Sequence, residues 1–285
     1  MATVEAQEGA AAEPTANGSG IQPAGYLLEL SLDWIVLRAS ENIHHLLGQS
    51  HVTLIDEPLG RFVHSQALHD LRNLFSRLSG TTGIGRAYGV RLTDDHEFVD
   101  VAFQLSDGRV LLEAVPSNDG FGECFGTVGG LVAGLANASN HALLEGGARR
   151  MRALTGYDRV TLTCGSDRDE SSRGAFLAPA DLTADLPIIV ADSDASTVPI
   201  FPRGIEASSV EDALIRSPGS DAVDALRREG VRASLRVPFC VDDVSGEFRC
   251  DSRTPRAPHF ELHAAAELFA QLFAMRLEID RFRNA

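Results

Sequence analysis

The order in which strand-like and helix-like segments follow one another constrains this chain more than any other feature. Tyr26-Leu27-Leu28-Glu29-Leu30 and Trp34-Ile35-Val36-Leu37 are short apolar runs separated by Ser31 to Asp33, and they read as two strands. Ser40 then caps a short predicted helix over Glu41 to Leu47. Leu59 to Val63 and Ala67 to Leu78 add helix, the second with Leu68, Leu71, Leu74, Phe75 and Leu78 on one face. Strand character returns at Tyr88 to Leu92, at Glu97 to Leu105 with its alternation through Phe98-Val99-Asp100-Val101, and at Val110 to Val115 after an Asp107-Gly108 turn. Two strands, intervening helices and three more antiparallel strands form one unit.

A second unit follows. Val132 to Leu154 is predicted as a long helix leading into it. Asp158 to Cys164 and Leu186 to Ala191 read as strands, Asp221 to Arg228 as a helix, Ala233 to Val241 and Gly246 to Cys250 as a hairpin through Asp242-Asp243, and His259 to Phe282 as a closing helix. The 285 residues suit two domains. Residues 1–20 hold little apolar bulk and are expected to be disordered. The expected fold class is α+β, with a first domain over 21–130 and a second over 131–285, each an antiparallel sheet flanked by helices.

Charge narrows the function classes. The formal net charge is −15, which opposes binding to nucleic acid and to anionic membranes. All 25 basic residues are Arg, so the amine needed for Schiff-base or P-loop chemistry is missing. The four Cys, at 124, 164, 240 and 250, show no zinc or redox spacing and read as free thiols, mostly buried, in a reducing cytoplasm. No apolar run reaches transmembrane length.

No nucleophile–base–acid order stands out, so an enzyme is not expected. His44-His45 point apart on a helix, and His259-Phe-Glu-Leu-His263 lacks the order of a zinc-protease helix; neither is expected to hold metal. Asp167 to Glu170 reads as a solvated hairpin tip without calcium-loop spacing. The glycines between Phe125 and Gly134 do not match a phosphate-binding fingerprint.

Several motifs carry a family resemblance. Ile21-Gln22-Pro23-Ala24-Gly25, Leu37-Arg38-Ala39-Ser40-Glu41-Asn42, Arg152-Ala153-Leu154-Thr155-Gly156-Tyr157-Asp158-Arg159-Val160, Ala191-Asp192-Ser193-Asp194-Ala195 and Gly230-Val231-Arg232-Ala233-Ser234-Leu235 occur in order. Together with the closing helix they resemble the photosensory core of bacterial phytochromes, a PAS domain followed by a GAF domain. The resemblance implies a bilin-binding photoreceptor whose N-terminal segment threads a GAF loop.

The functional residues depart from that pattern. No Cys precedes Ile21, where bacterial members attach biliverdin. The plant-type Cys-His pair aligns with Asp221 and Ala222, and the pocket Tyr with Ala225. The pocket Ser falls at Arg236, and a pocket His at Asp251. The Asp-bearing segment that contacts the pyrroles is too short here, leaving Asp181 or Asp185 as remnants. Arg216 matches a propionate-gripping Arg, and Ser234 is a weaker candidate contact. Asp221 and Asp251 in a cavity would desolvate carboxylates, with Arg236 expected to enter the cavity and pair with one of them.

The expectation is therefore a sensory or regulatory protein with no covalent cofactor. The alternative is a receptor that holds a bilin or another small molecule non-covalently. Leu268, Leu272, Met275, Ile279 and Phe282 form a heptad seam on the closing helix, beside a second row of Phe269, Phe273 and Leu277. One row is expected to pack on the sheet and the other to meet a second copy; both rows lying in the core is the alternative. No output domain follows, so the signal is expected to pass to a separate protein, unless the chain is a fragment.

Overall fold

The structure is a computed structural model that describes residues 20–78, 83–94, 97–117, 122–136, 138–165, 188–203, 208–242 and 244–284. The chain runs through β1 (Gly20–Ile21), β2 (Tyr26–Leu30), β3 (Val36–Ser40), a 3-10 turn, α1 (His44–Leu47), α2 (His51–Leu54), a second 3-10 turn, α3 (Ser65–Leu78), β4 (Gly85–Val90), β5 (Val99–Ser106) and β6 (Arg109–Pro116). It continues through α4 (Glu123–Ala133), α5 (Asn140–Thr155), β7 (Arg159–Gly165), β8 (Ile189–Val190), β9 (Val198–Phe201), α6 (Ser208–Glu211), α7 (Ser220–Glu229), β10 (Ala233–Val241), β11 (Val244–Ser252) and α8 (Phe260–Asn284). Among the described residues these strands form two antiparallel sheets, ordered β1-β9-β3-β2-β6-β5-β4 and β7-β11-β10-β8. This is the expected α+β class.

The period of two divides the first sheet into unlike faces. Leu28, Leu30, Val36, Val101, Phe103, Val110 and Leu112 share an apolar core with Ile43, Leu46, Leu54 and Leu71 from the short helices and α3. The opposite face meets the second unit. There Leu27, Ala102, Leu111 and Val115 join the core of the second sheet and α8. Glu29, Arg38, Asp100 and Glu113 stand buried in the same strands.

Two local differences from the sequence reading have clear causes, and one predicted strand is described only in part. β3 starts at Val36, because Trp34 has φ 66° and closes a turn in which its N–H donates to the Ser31 carbonyl. The predicted helix Val132 to Leu154 is two helices. α4 ends at Ala133, next to Gly134, which weakens the helix, and α5 begins at Asn140 behind an extended Ser139. α4 is glycine-rich, and it is supported by packing Val128 into the core that Phe269 and Phe273 of α8 also fill. The run from Leu186 contributes only β8 among the described residues, as 186 and 187 lie outside them.

β9 is the main surprise in topology. It arises from the second unit but pairs with β3 at Ala39↔Phe201 and with β1 at Ile21↔Val198. β1 also bridges Arg216 through Ile21. Gln22 fixes this crossing: its side-chain amide donates to the Ile189 carbonyl at 2.7 Å and the Arg216 carbonyl at 3.0 Å, and accepts from the Ala191 N–H at 2.7 Å.

Candidate functional site

The candidate site is the face of the second sheet that turns away from α8. On β10 and β11 the pleat sends Leu235, Val237, Phe239, Phe248 and Cys250 toward α8, and Phe248 meets Phe273 edge-on at 5.1 Å. Ser234, Arg236, Glu247, Arg249 and Asp251 occupy the other face, with Ser234 opposite Asp251 and Arg236 opposite Arg249. The face expected to line a ligand pocket is therefore built from charges.

Those charges are paired with one another. One Asp251 oxygen accepts from Ser234 Oγ at 2.9 Å and Arg249 Nε at 3.0 Å; the other accepts from Arg159 Nη2 at 2.7 Å and Nε at 3.2 Å. Glu229 at the end of α7 takes the remaining guanidinium contacts, from Arg159 at 2.9 Å and Arg249 at 3.0 Å. Arg249 and Asp251 are 6% and 3% exposed, so the central pair is desolvated. The Arg159 guanidinium is pushed to higher pKa, chiefly by its bonds to Asp251.

The positions singled out in the sequence are distributed unevenly around this network. Arg236 pairs with Glu247 at 2.6 Å, not with Asp221 or Asp251 as expected. Glu247 lies diagonally across the ladder from it, and Asp251 already holds two guanidiniums. Asp221 is exposed in the first turn of α7, so the expected desolvation of its carboxylate does not occur. The opposite side of α7 buries Ala222 and Ala225, with Ala222 packed against Val190, Leu226 and Val231. Ser234 is fully buried with its hydroxyl committed to Asp251. Arg216 is half-buried in the segment before α7, where its backbone meets β1 and Gln22. Asp181, Asp185 and the acidic run from Asp167 to Glu170 lie outside the described residues.

The closing helix separates its two apolar rows. Phe269 and Phe273 are fully buried and Leu277 packs against the same core. Leu268, Met275, Ile279 and Phe282 are exposed, at 44%, 52%, 48% and 75%. Leu272, between Leu268 and Met275 in this row, is half-buried and packs against the core from one side.

Arg86 and Glu267 escaped sequence reasoning. Arg86 of β4 reaches α8, donating to His263 Nδ1 at 2.9 Å and pairing with Glu267 at 2.9 Å. His263 is 1% exposed, and burial together with Arg86 holds its pKa well below the ordinary value. Burial likewise pushes up the Cys250 and Cys164 thiols. A groove of about 660 Å³ lies between α3 and β4, bordered by His64, Asp70, Leu74, Tyr88 and Arg91 and remote from Asp251 in the fold. Among the described residues no group of three or more His, Cys, Asp or Glu is arranged to hold a metal ion. No described helix is long and apolar enough to cross a membrane.

Known proteins share this architecture. Residues 10–116 match the family described as PAS fold. A bacteriophytochrome of Pseudomonas aeruginosa is 25% identical over 317 aligned positions, covering 93% of this chain and 40% of that protein. The chain thus spans about two-fifths of that relative. The chromophore-binding domain of an unusual bacteriophytochrome from R. palustris superposes with a TM-score of 0.73 at 23% identity, covering 93% of this chain and 96% of that one. The chromophore-binding domain of Stigmatella aurantiaca phytochrome P1 gives 0.71 at 23% identity, covering 90% and 95%. The chain therefore has the fold of a phytochrome chromophore-binding domain.

Proposed function

We propose that this chain is a phytochrome-like sensory or regulatory module of the cytoplasm. In this reading it signals through contact between chains, carries out no catalysis and attaches no bilin covalently. The observation that carries the reading is the exposed row Leu268, Met275, Ile279 and Phe282 on a helix whose other row is already in the core. Four large apolar side chains at helical spacing are costly to leave in water. A second copy of the same helix is the partner that best matches the seam, since like rows meet across a two-fold axis. A separate output protein would then read the paired helices.

The residues on the sheet face do not fit a covalently held bilin. Attachment needs an accessible thiolate. The resemblance aligns the attachment pair with Asp221 and Ala222, an exposed carboxylate and a buried methyl. Cys250 is fully buried with its thiol held protonated, while Cys240, an exposed thiol on β10, falls at neither attachment position of the family. Ser234 and Asp251 spend their polar atoms on each other and on two Arg side chains.

One experiment tests both halves. The chain is produced with biliverdin, and its visible spectrum, zinc-induced fluorescence after denaturation and sedimentation mass are recorded. The expected result is no zinc-fluorescent adduct and a mass that rises to a dimer with concentration. A zinc-fluorescent adduct that survives denaturation would overturn the bilin half; a red-absorbing pigment that leaves on denaturation would turn the reading into a non-covalent receptor with Arg216 as anion anchor. A strict monomer at high concentration would overturn the contact half.

A further inference from the structure

β4 is the last strand of the seven-stranded sheet, and among the described residues it pairs with β5 alone. Every second residue of such an edge strand turns its N–H and C=O away from the sheet. The groove of about 660 Å³ runs along this edge, with α3 as its other wall. Contacts between the same two elements close its ends. At one end the His64 N–H, just before α3, donates to the Leu92 carbonyl, just after β4, at 2.8 Å. At the other, a Cβ built on Gly85 of β4 would come within 2.7 Å of the Leu78 side chain of α3. Between these points helix and strand part. The floor there is apolar: Ala67 and Leu71 are buried in the first core, and Leu74, Ala87 and Val90 pack against it.

The edge is also poorly shielded. Natural edge strands are commonly protected by Lys, Pro or a bulge. β4 holds neither Lys nor Pro, and its one cation, Arg86, is drawn away to His263 and Glu267 of α8. A bulge is present, with Gly89 at φ 60° and its N–H held by Asp100, but it falls between Ala87 and Val90. Gly85 to Ala87 therefore keep a regular ladder. Charge narrows the occupant further. The Asp94 carboxylate is bridged by His64 at 3.2 Å, and its carbonyl accepts from Arg91 at 3.0 Å. Asp70, exposed midway along α3, accepts from Gln66 Nε2 at 2.9 Å and is paired with no cation among the described residues.

We propose that β4 and α3 form a docking groove for an extended segment of another protein, which adds to the sheet as an eighth strand beside β4, lays alternate apolar side chains on Leu71 and Leu74, and places a Lys or Arg against Asp70. Main-chain bonds give such a complex its affinity, and the alternate side chains give it selectivity. A helix spends its main-chain groups internally and has none to offer the edge. The groove belongs to the first domain and the exposed row of α8 to the second, so the proposal goes beyond the contact between copies and can fail while that reading stands.

The test starts from random linear decapeptides displayed on phage and selected on the full chain, with chain-free matrix as control. Selected peptides are expected to alternate apolar residues around a Lys or Arg. One is synthesised and titrated into isotope-labelled chain. Binding is expected to slow exchange at those amides of Gly85 to Ala87 that turn outward, a change that side-chain contact alone does not produce. Asp70→Arg should weaken binding about tenfold, because an attractive pair becomes a repulsive one. Methylating every second peptide nitrogen should weaken binding by about tenfold or more in the register that faces β4 and spare it in the other, since only the first loses donors to the edge. This last measurement alters the peptide alone, so it holds even if the variant does not fold. Failure to enrich any peptide, binding that leaves the β4 amides unprotected, indifference to Asp70→Arg, or equal loss in both methylation registers would overturn the proposal.

Discussion

Replacing Asp251 by Ala removes the acceptor shared by Ser234, Arg249 and Arg159. The contribution of each contact follows from its burial. Arg159 is 52% exposed, so its pair rehydrates on loss and contributes less than about 1 kcal/mol. Arg249 and Asp251 are 6% and 3% exposed, and breaking such a pair leaves a buried guanidinium, at a cost of about 3–5 kcal/mol. Glu229 keeps a 3.0 Å contact with Arg249 and offsets part of that cost. The buried Ser234 hydroxyl adds about 1 kcal/mol for its lost acceptor. A net destabilisation of about 3 kcal/mol is expected, or roughly 10 °C in Tm. Urea denaturation of wild type and Asp251→Ala measures it. The double variant Arg249→Met with Asp251→Val, which removes both charges at nearly the same volume, should recover most of the loss. A loss below about 1 kcal/mol in Asp251→Ala, or a double variant no better than the single one, would refute the view that a desolvated ion pair occupies this face.

Two further outcomes are expected. A Cβ built at Gly147 of α5 collides with the Phe273 ring, so Gly147→Val should destabilise the chain by about 2 kcal/mol, measured by thermal unfolding; an unchanged Tm would contradict the close approach of α5 to α8. His263 is kept neutral in the folded state, with a pKa depressed below an unfolded value of about 6.5, so its contribution to stability is complete above that pH and is lost as pH falls toward the folded value. Glu113 has the opposite slope, its raised carboxyl losing stability as pH rises between the unfolded value and about 7. The quantity to measure is therefore wild type minus His263→Gln, whose difference should shrink on acidification below pH 6.5; a constant difference down to pH 4.5 would show that His263 is not held neutral.

What the sequence disclosed was whatever depends on near neighbours. The alternation of Leu28 and Leu30 with Glu29 marks a strand with two unlike faces, and the rows on α8 repeat every three or four residues. Both are local periodicities. The break between α4 and α5 was masked because Val132 to Leu154 stays apolar at helical spacing through Gly134. Asp251 drew notice through the family resemblance, but Arg159 meets it only through strand register, across β7 and β11, while Arg249 sits two residues before it on the same face of β11. Glu113 looks like an ordinary outward residue of a strand until a segment about a hundred positions later brings two N–H groups to it. Arg236 shows the limit most directly: its need for a carboxylate was foreseen, while the choice of Glu247 over Asp251 belongs to the ladder.

The crossing of β1, β9 and β3 bears on how the chain matures. During synthesis β2 to β6 emerge early and can close their sheet over α1–α3. Yet the outer edge of β3 gains its partner only when residues 200 and 201 arrive, and Gln22 waits for residues 189, 191 and 215. Until then a nascent first domain carries an open strand edge, the kind of surface that recruits other chains. The earliest described residues are thus among the last to reach their native contacts, and a chain cut short before Ser217 would retain a sheet without its clasp.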